Sequence, residues 1–482
     1  LSNFDPTSYD PNKAPRIDVT NGTVVPGTKT WQLNGIIIGG VNSPFGDKIA
    51  NDNWHNFAPR IGLAWDPFGR GKMSIRMGWG LYYDATLFGT YEQNIFANPP
   101  YISSVSYSNA SFSNVAGGTL GIDPLGPNAT SVLSLHATQL PANIPYSQPW
   151  NFDIQRQLPG GGVLEAGYHG SKSTHLLGIV DINEARPGAA LAAGLHQANG
   201  NTIFTSTDQQ RINAARPYRG FGVINALETG FDSNYHSLQV HLRKNFKSGG
   251  LIGIAYTWAR TMTTASSDRS HWPQNTYDWR SEYAPAAFDR KHVLTANYVY
   301  TLPFFKRGHG FRNRAFGGWQ LSGIVSTYTG QPTTILTANV DPAGLGLLAN
   351  GNIPNRPDYI CNANVAAPHQ YAGAAQSAAL KLSWFNTACF ANVPQGAVRP
   401  GNEGRSTVRG PGFFNWDGSV MKNIGLTNDG RVKLQLRGES FNTLNWVNPS
   451  GFASTNMTAT NFGQINSFRA ARRVQLAAKV TF

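Results

Sequence analysis

The feature that most constrains this chain is a side-chain alternation of period two. It recurs in segments of roughly ten residues, the length of a membrane-crossing strand, separated by polar turns. From Arg431 to Phe441, Val432, Leu434, Leu436 and Gly438 fall on one side of an extended strand. Lys433, Gln435, Arg437 and Glu439 fall on the other, because successive side chains of a strand point to opposite faces. One face is apolar and the other carries full charges. The pattern returns with Ile61, Leu63 and Trp65 against Arg60, Gly62 and Ala64, and with Met73, Ile75, Met77 and Trp79 against Ser74, Arg76 and Gly78. Phe152 and Ile154 oppose Asp153 and Gln155; Leu164, Ala166 and Tyr168 oppose Glu165, Gly167 and His169. Leu238, Val240 and Leu242 oppose His241 and Arg243, and Phe414, Trp416 and Val420 oppose Asn415, Asp417 and Ser419.

Composition points the same way. Only 13% of the 482 residues are charged, about half the usual share of a soluble domain. Gly, Asn and aromatics, which suit turns and pleated surfaces, take their place. No run approaches the roughly 18 apolar residues of a membrane helix. A spanning structure therefore has to be a closed sheet, the other arrangement that satisfies backbone groups in lipid. The net charge of +13 comes from scattered Lys and Arg with no dense basic run, so no nucleic-acid partner is expected. The chain starts at Leu1 without a leader-like segment and reads as a fragment or processed product.

Connections alternate short and long. Short ones fall at 67–71, 159–161, 247–250 and 427–430, with a longer basic one at 306–317; long ones fall at about 84–147, 171–233, 261–289, 331–412 and 444–471. In an antiparallel meander every short turn then lies at one rim and every long loop at the other, the asymmetry of outer-membrane barrels. Tyr and Trp gather at strand ends (Trp65, Trp79, Tyr82, Tyr83, Trp258, Tyr298, Tyr300, Trp319, Tyr328, Trp416, Trp446), as two interfacial girdles require. The C-terminal strand alternates Val474, Leu476, Ala478, Val480 and Phe482 with polar neighbours; an unpaired strand of this kind is an aggregation hazard. Its terminal Phe looks like a signal for the barrel assembly machinery. The fold class expected is all-β: an antiparallel up-and-down transmembrane barrel of about 11–12 strands, part of a larger one, in the bacterial outer membrane and in contact with its lipid.

Several segments resemble the barrel of Oar-like TonB-dependent outer-membrane receptors. They are Asn56 to Pro67 with Ser74 to Asp84, Asn234 to Val240, Tyr256-Thr257-Trp258, Phe288 to Val293, Gly317 to Gly323, Phe441 to Asn445, and the terminal strand. The resemblance spans about residues 1 to 482. It implies an N-terminal β-sandwich and a plug, both absent from this chain, and a 22-stranded barrel of which this is the C-terminal part. It also implies gated import by the intact protein, energised by the TonB complex through the missing plug region. A large barrel cannot close at half its strand number without changing tilt and diameter, so an open, curved sheet is expected.

Arg60, Arg76, Glu165, His241, Arg243, Asp417, Lys433, Arg437 and Glu439 are expected on the inner face as a polar network. Cys361 and Cys389 share one long loop and are either a disulfide, which an oxidising compartment permits, or two thiols. His236 and His241 are five residues apart and point to opposite faces of a strand, which excludes a shared metal. Gly69 to Lys72 lacks the first Gly and the Ser/Thr of a phosphate loop. No catalytic constellation falls on one face, so neither an enzyme activity nor a cofactor is expected. Ligand selection is assigned to the loops and their exposed aromatics. Three functions fit: a receptor importing a bulky ligand such as an oligosaccharide or peptide, an outer-membrane adhesin or scaffold, and a secreted carbohydrate-binding β protein.

Overall fold

The computed structural model describes residues 1–27, 31–84, 98–101, 107–108, 111–113, 119–120, 125, 129–195, 204–205, 208–246, 249–267, 273–303, 315–337, 340–349, 355–364, 384–427 and 431–482. Among these, fourteen strands form one sheet, and eleven follow one another across it without a crossover. They are β1 (Arg60–Trp65), β2 (Met73–Gly80), β3 (Tyr146–Leu158), β4 (Gly162–Asp181), β5 (Phe221–Phe246), β6 (Gly250–Thr263), β7 (His292–Thr301), β8 (Trp319–Tyr328), β9 (Phe413–Gly425), β10 (Lys433–Phe441) and β11 (Arg473–Thr481). Each neighbouring pair is antiparallel. The path does not close: among the described residues β1 pairs along it with β2 alone and β11 with β10 alone. The antiparallel meander is what the alternation and loop asymmetry lead one to expect, and its open edges are what the resemblance to a larger barrel implies.

The turns at one rim are short because their residues accept the required backbone. Gly160 and Gly161 have φ of 81° and 83°, the left-handed pair that a tight hairpin needs and that side chains resist. In the β1–β2 turn, the Asp66 carboxylate accepts hydrogen bonds from the backbone N–H of Phe68 at 3.2 Å and of Gly71 at 2.7 Å. Residues 247–248 and 428–430 of the other expected short connections, and 306–314 of the longer basic one, lie outside the described residues.

The expected loop at 171–233 is shorter than its sequence suggests. β4 continues to Asp181 and β5 begins at Phe221, with register shifts between Ser173 and Gly178 where the pair bends. Leu133–Thr138 adds a parallel strand to this extension. The Asn3 side chain then caps it like one more rung, donating to Thr138 O at 3.0 Å and accepting from Thr138 N at 2.8 Å. Phe221, Ile224, Ala226, Leu227 and Phe231 are all buried here. A strand covered on both faces runs apolar instead of alternating, so period two fails to announce it.

The apolar core sits in the loops. Among the described residues, no buried apolar side chain belongs to β1–β3 or β6–β11, to β4 before Val180, or to β5 after Phe231. One core joins Phe4, Trp31 and Ile36 of the N-terminal segment to Leu135, Phe221 and Phe231; Phe221 meets Phe4 edge-on at 5.5 Å and Trp31 at 5.7 Å. A second gathers Ile335, Phe385, Cys389, Phe390 and Val408 of the β8–β9 loop, with Phe452 and Phe462 of the β10–β11 loop packed against it. The long loops carry exposed aromatics, as expected (Tyr101, Phe112, Tyr277, Tyr283, Phe288 and Trp446), but they also bury others, Phe204 and Phe385 among them, because loops this long fold only by burying apolar surface of their own.

Candidate functional site

The strand register sorts the sheet into two faces. Cross-strand partners share a face, so one row runs Ser74, Gln155, Glu165, His241, Ala255, Thr295, Ser326, Asn415 across eight strands. A second begins Arg76, Asp153, Gly167, Gln239, and a third runs Gln157, Val163, Arg243, Gly253, Asn297, Ile324, Asp417. Ser419 faces Glu439, Met421 faces Arg437 and Gly425 faces Lys433, while Ala64 faces Arg76 and Arg60 lies four residues before it on the same side. All nine residues singled out in the sequence therefore lie on one polar face. Ile61, Leu63, Leu238, Trp258, Val420, Leu436, Leu476 and Val480 occupy the other face and are exposed. Val474, Ala478 and Phe482 alternate onto that same apolar side of the last strand. Tyr328 departs from the girdle expectation: its register partners Val293 and Phe413 put it on the polar face.

The nine do not form one connected network. Arg437 bridges Glu439 at 3.3 Å and donates to Gln435 at 2.9 Å, and Gln435 donates to Asn423 at 2.8 Å. Asp417 accepts from the Asn415 amide at 2.9 Å and from Asn442 N at 2.8 Å. The Arg60 guanidinium lies 4.4 Å over the Tyr82 ring. Glu165, His241 and Arg243 sit in adjacent rows of the central strands, away from these groups.

Asp417 marks the richest part of this face. It lines a cavity of about 790 Å³ at the long-loop rim with Phe413, Asn415, Arg469, Arg473 and Gln475. It also lines a furrow of about 300 Å³ running down the sheet past Asn297, Ser322, Ser419 and Glu439. Arg469 lies 4.9 Å over Phe413. Carboxylates, guanidiniums and amides on a concave wall suit a polar, multiply hydrogen-bonding ligand. The contribution of Arg469 was not legible beforehand, because it follows a loop and precedes the last alternating strand.

Above this wall, buried ion pairs lock the long loops together. Glu282 accepts from Arg356 at 2.9 and 2.7 Å and from Gln274 N at 3.0 Å, and Arg405 lies 3.3 Å away. Arg405 also donates to the carbonyl of Glu282 at 2.9 Å and to Ser266 at 3.0 Å. Arg409 pairs with Asp289 at 2.6 Å. These contacts tie the β8–β9 loop to the β6–β7 loop. Glu403 is buried beside them, accepting from Ile335 N at 3.2 Å and from the Thr407 hydroxyl, and burial pushes its carboxyl up to about 7. Burial likewise raises the Glu184 carboxyl well above its ordinary range. Cys361 and Cys389 form a disulfide with 4.8 Å between Cα atoms. Among the described residues no group of three or more His, Cys, Asp or Glu is placed to hold a metal ion.

A family model described as an outer membrane beta barrel domain matches residues 1–475. No curated protein matches the chain. Among solved structures, the outer membrane transporter YddB from Escherichia coli is similar over 89% of this chain and 41% of its own, at 10% identity and a TM-score of 0.46. The siderophore receptor PirA from Acinetobacter baumannii is similar over 88% and 41%, at 9% identity and 0.39. For the ferripyoverdine receptor of the Pseudomonas aeruginosa outer membrane the figures are 88% and 32%, at 8% and 0.36. The chain thus spans between 32% and 41% of the length of these structures.

Proposed function

We propose a function from one premise: the chain belongs to the outer membrane beta barrel domain family. In that setting the apolar face meets lipid and the polar face lines an aqueous interior. Among the described residues the edges β1 and β11 are unpaired on their outer sides, and such edges cannot stand open in hydrocarbon, so we infer that further strands of a larger barrel complete the ring. The reading that fits best is the wall and extracellular cap of a TonB-dependent receptor that imports a bulky polar ligand, an oligosaccharide or a peptide. The observation that carries it is the continuous polar face, with Asp417, Glu439, Arg469 and Arg473 around two joined hollows below the cap. Arg60, Arg76, Glu165, His241, Arg243, Lys433 and Arg437 would line the rest of the passage and contact a plug, through which the TonB complex would act. The terminal strand would serve the barrel assembly machinery.

Uptake separates this from its rival. Cells producing the protein should accumulate fluorescent oligosaccharides or peptides of one class, and accumulation should stop when the proton gradient is collapsed or TonB is removed. Binding that persists at the surface with no energy-dependent accumulation would sink the import reading. It would favour an adhesin or surface scaffold, for which the separately cored loops, one of them closed by a disulfide, already speak.

A further inference from the structure

The apolar face changes character where it meets the loops. Its middle carries Leu238, Leu294 and Val420, but at the long-loop rim histidine and basic side chains interrupt it. Tyr168 on β4 and His236 on β5 are hydrogen-bonded, hydroxyl to Nδ1, at 2.7 Å with their rings stacked. Two strands on, Tyr256 and His292 repeat the arrangement at 2.8 Å, and the Trp258 ring lies parallel to His292. The first pair and Trp258 frame a hollow of about 580 Å³ that Arg260, Lys291, Asp289 and Arg409 also line. Arg409 is neutralised by Asp289. Arg260 and Lys291 are exposed, and among the described residues neither has an acidic partner. Next to it lies a larger trough of about 990 Å³ with an aromatic and aliphatic lining, including Leu294, Phe414, Leu444 and Trp446. His292 borders the trough while stacking on Trp258 of the basic hollow.

We propose that this rim binds an anionic lipid of the outer leaflet, its phosphate held by Arg260 and Lys291 and its acyl chain laid in the neighbouring trough. The chemistry decides the occupant. Unpaired cations on a lipid-facing surface attract headgroup phosphate, aromatic rings sit at headgroup level, and an apolar trough alongside accommodates a chain where a free anion has none. The hollow opens on the apolar face, so a ligand passing along the polar face would not reach it. This inference rests on the apolar face meeting lipid, as proposed above.

The test uses the purified protein in detergent with three probes: lipid A, dephosphorylated lipid A and inorganic phosphate. Native mass spectrometry should show lipid A retained. The R260Q/K291Q double variant, changed only at exposed side chains, should bind it about 30-fold more weakly, from roughly a factor of five per basic residue near a membrane surface. Equal binding of lipid A by wild type and variant, or equal retention of the dephosphorylated lipid, overturns the proposal. Inorganic phosphate that displaces lipid A at matched concentration also overturns it, since the site would then be one for free anions. In parallel, quenching of tryptophan fluorescence by brominated acyl chains should be strong in both proteins. If it is absent, the orientation of the sheet has failed; if it is present while the variant still binds normally, only the lipid site has failed.

Discussion

Replacing Glu282 with glutamine leaves two buried guanidinium groups without their shared counter-charge. In the native cap Glu282 is fully buried and takes both nitrogens of Arg356, itself 2% exposed, at 2.9 and 2.7 Å, with Arg405 at 3.3 Å. The amide can still accept from Gln274 N, but its own NH2 group is turned toward guanidinium N–H donors. Removing one partner of a buried pair destabilises by roughly 3–5 kcal/mol, and the local opening equilibrium then rises on the order of a hundredfold to a few thousandfold. Hydrogen–deuterium exchange in detergent reads this directly. Segments 273–289, 355–364 and 384–412 should lose protection, whereas β6–β8 should not, because the strand hydrogen bonds do not depend on the cap. The E282Q/R356M double variant should recover the part of the loss that comes from Arg356, since it removes that stranded charge, while Arg405 keeps its bonds to the Glu282 carbonyl and Ser266. Unchanged exchange in the three loop segments, or equal loosening of loops and strands, would refute the claim that these ion pairs hold the cap together.

Opening the Cys361–Cys389 disulfide, 28 residues apart, should destabilise the β8–β9 loop by about 3.5 kcal/mol on the chain-entropy account; trypsin should then cut that loop while heat-modifiable migration of the barrel persists. Glu403 has its carboxyl raised to about 7 by burial against an ordinary value near 4.5, so its contribution to stability is full below about pH 4.5 and is lost as pH rises through 7. That amounts to about 3 kcal/mol, and E403Q should match wild type at pH 5 and exceed it in cap protection at pH 8. Phe221→Ala, in the core shared with Phe4 and Trp31, should weaken that core by roughly 3–5 kcal/mol and expose residues 1–38 to exchange first; equal protection there would show the N-terminal segment to be held by other contacts.

The strands were legible because a membrane sheet makes a strict demand on sequence. Lys433 to Phe441 alternates because one face meets lipid and the other polar surroundings, so each residue reports its side. That logic also assigned Arg76, Glu165 and Arg437 to one face before any register was known. It fails wherever the surroundings are the same on both sides. Gly222 to Leu227 is covered from both faces and reads as a loop. Phe4, Trp31 and Phe385 follow no period, since they pack in irregular chain. Glu282 and Arg356 are 74 residues apart, and no local pattern pairs a carboxylate with a guanidinium at that distance. No sequence pattern links Arg260 to Lys291, and only the fold brings both to the lining of one hollow.

Two adjacent positions on the central strand β7 test the account most directly. Thr295 belongs to the polar face and Ala296 to the apolar face, and cysteine is a small change at either. With Cys361 and Cys389 held as a disulfide, each single variant carries one reactive thiol. In isolated outer membranes, Thr295→Cys should react with a small, charged, water-soluble thiol reagent. Ala296→Cys should resist that reagent, and a fluorophore attached there after solubilisation should be quenched by brominated acyl chains on return to lipid. Equal labelling of the two, or labelling of Ala296→Cys alone, would contradict a membrane-spanning sheet with one face in lipid and the other in water.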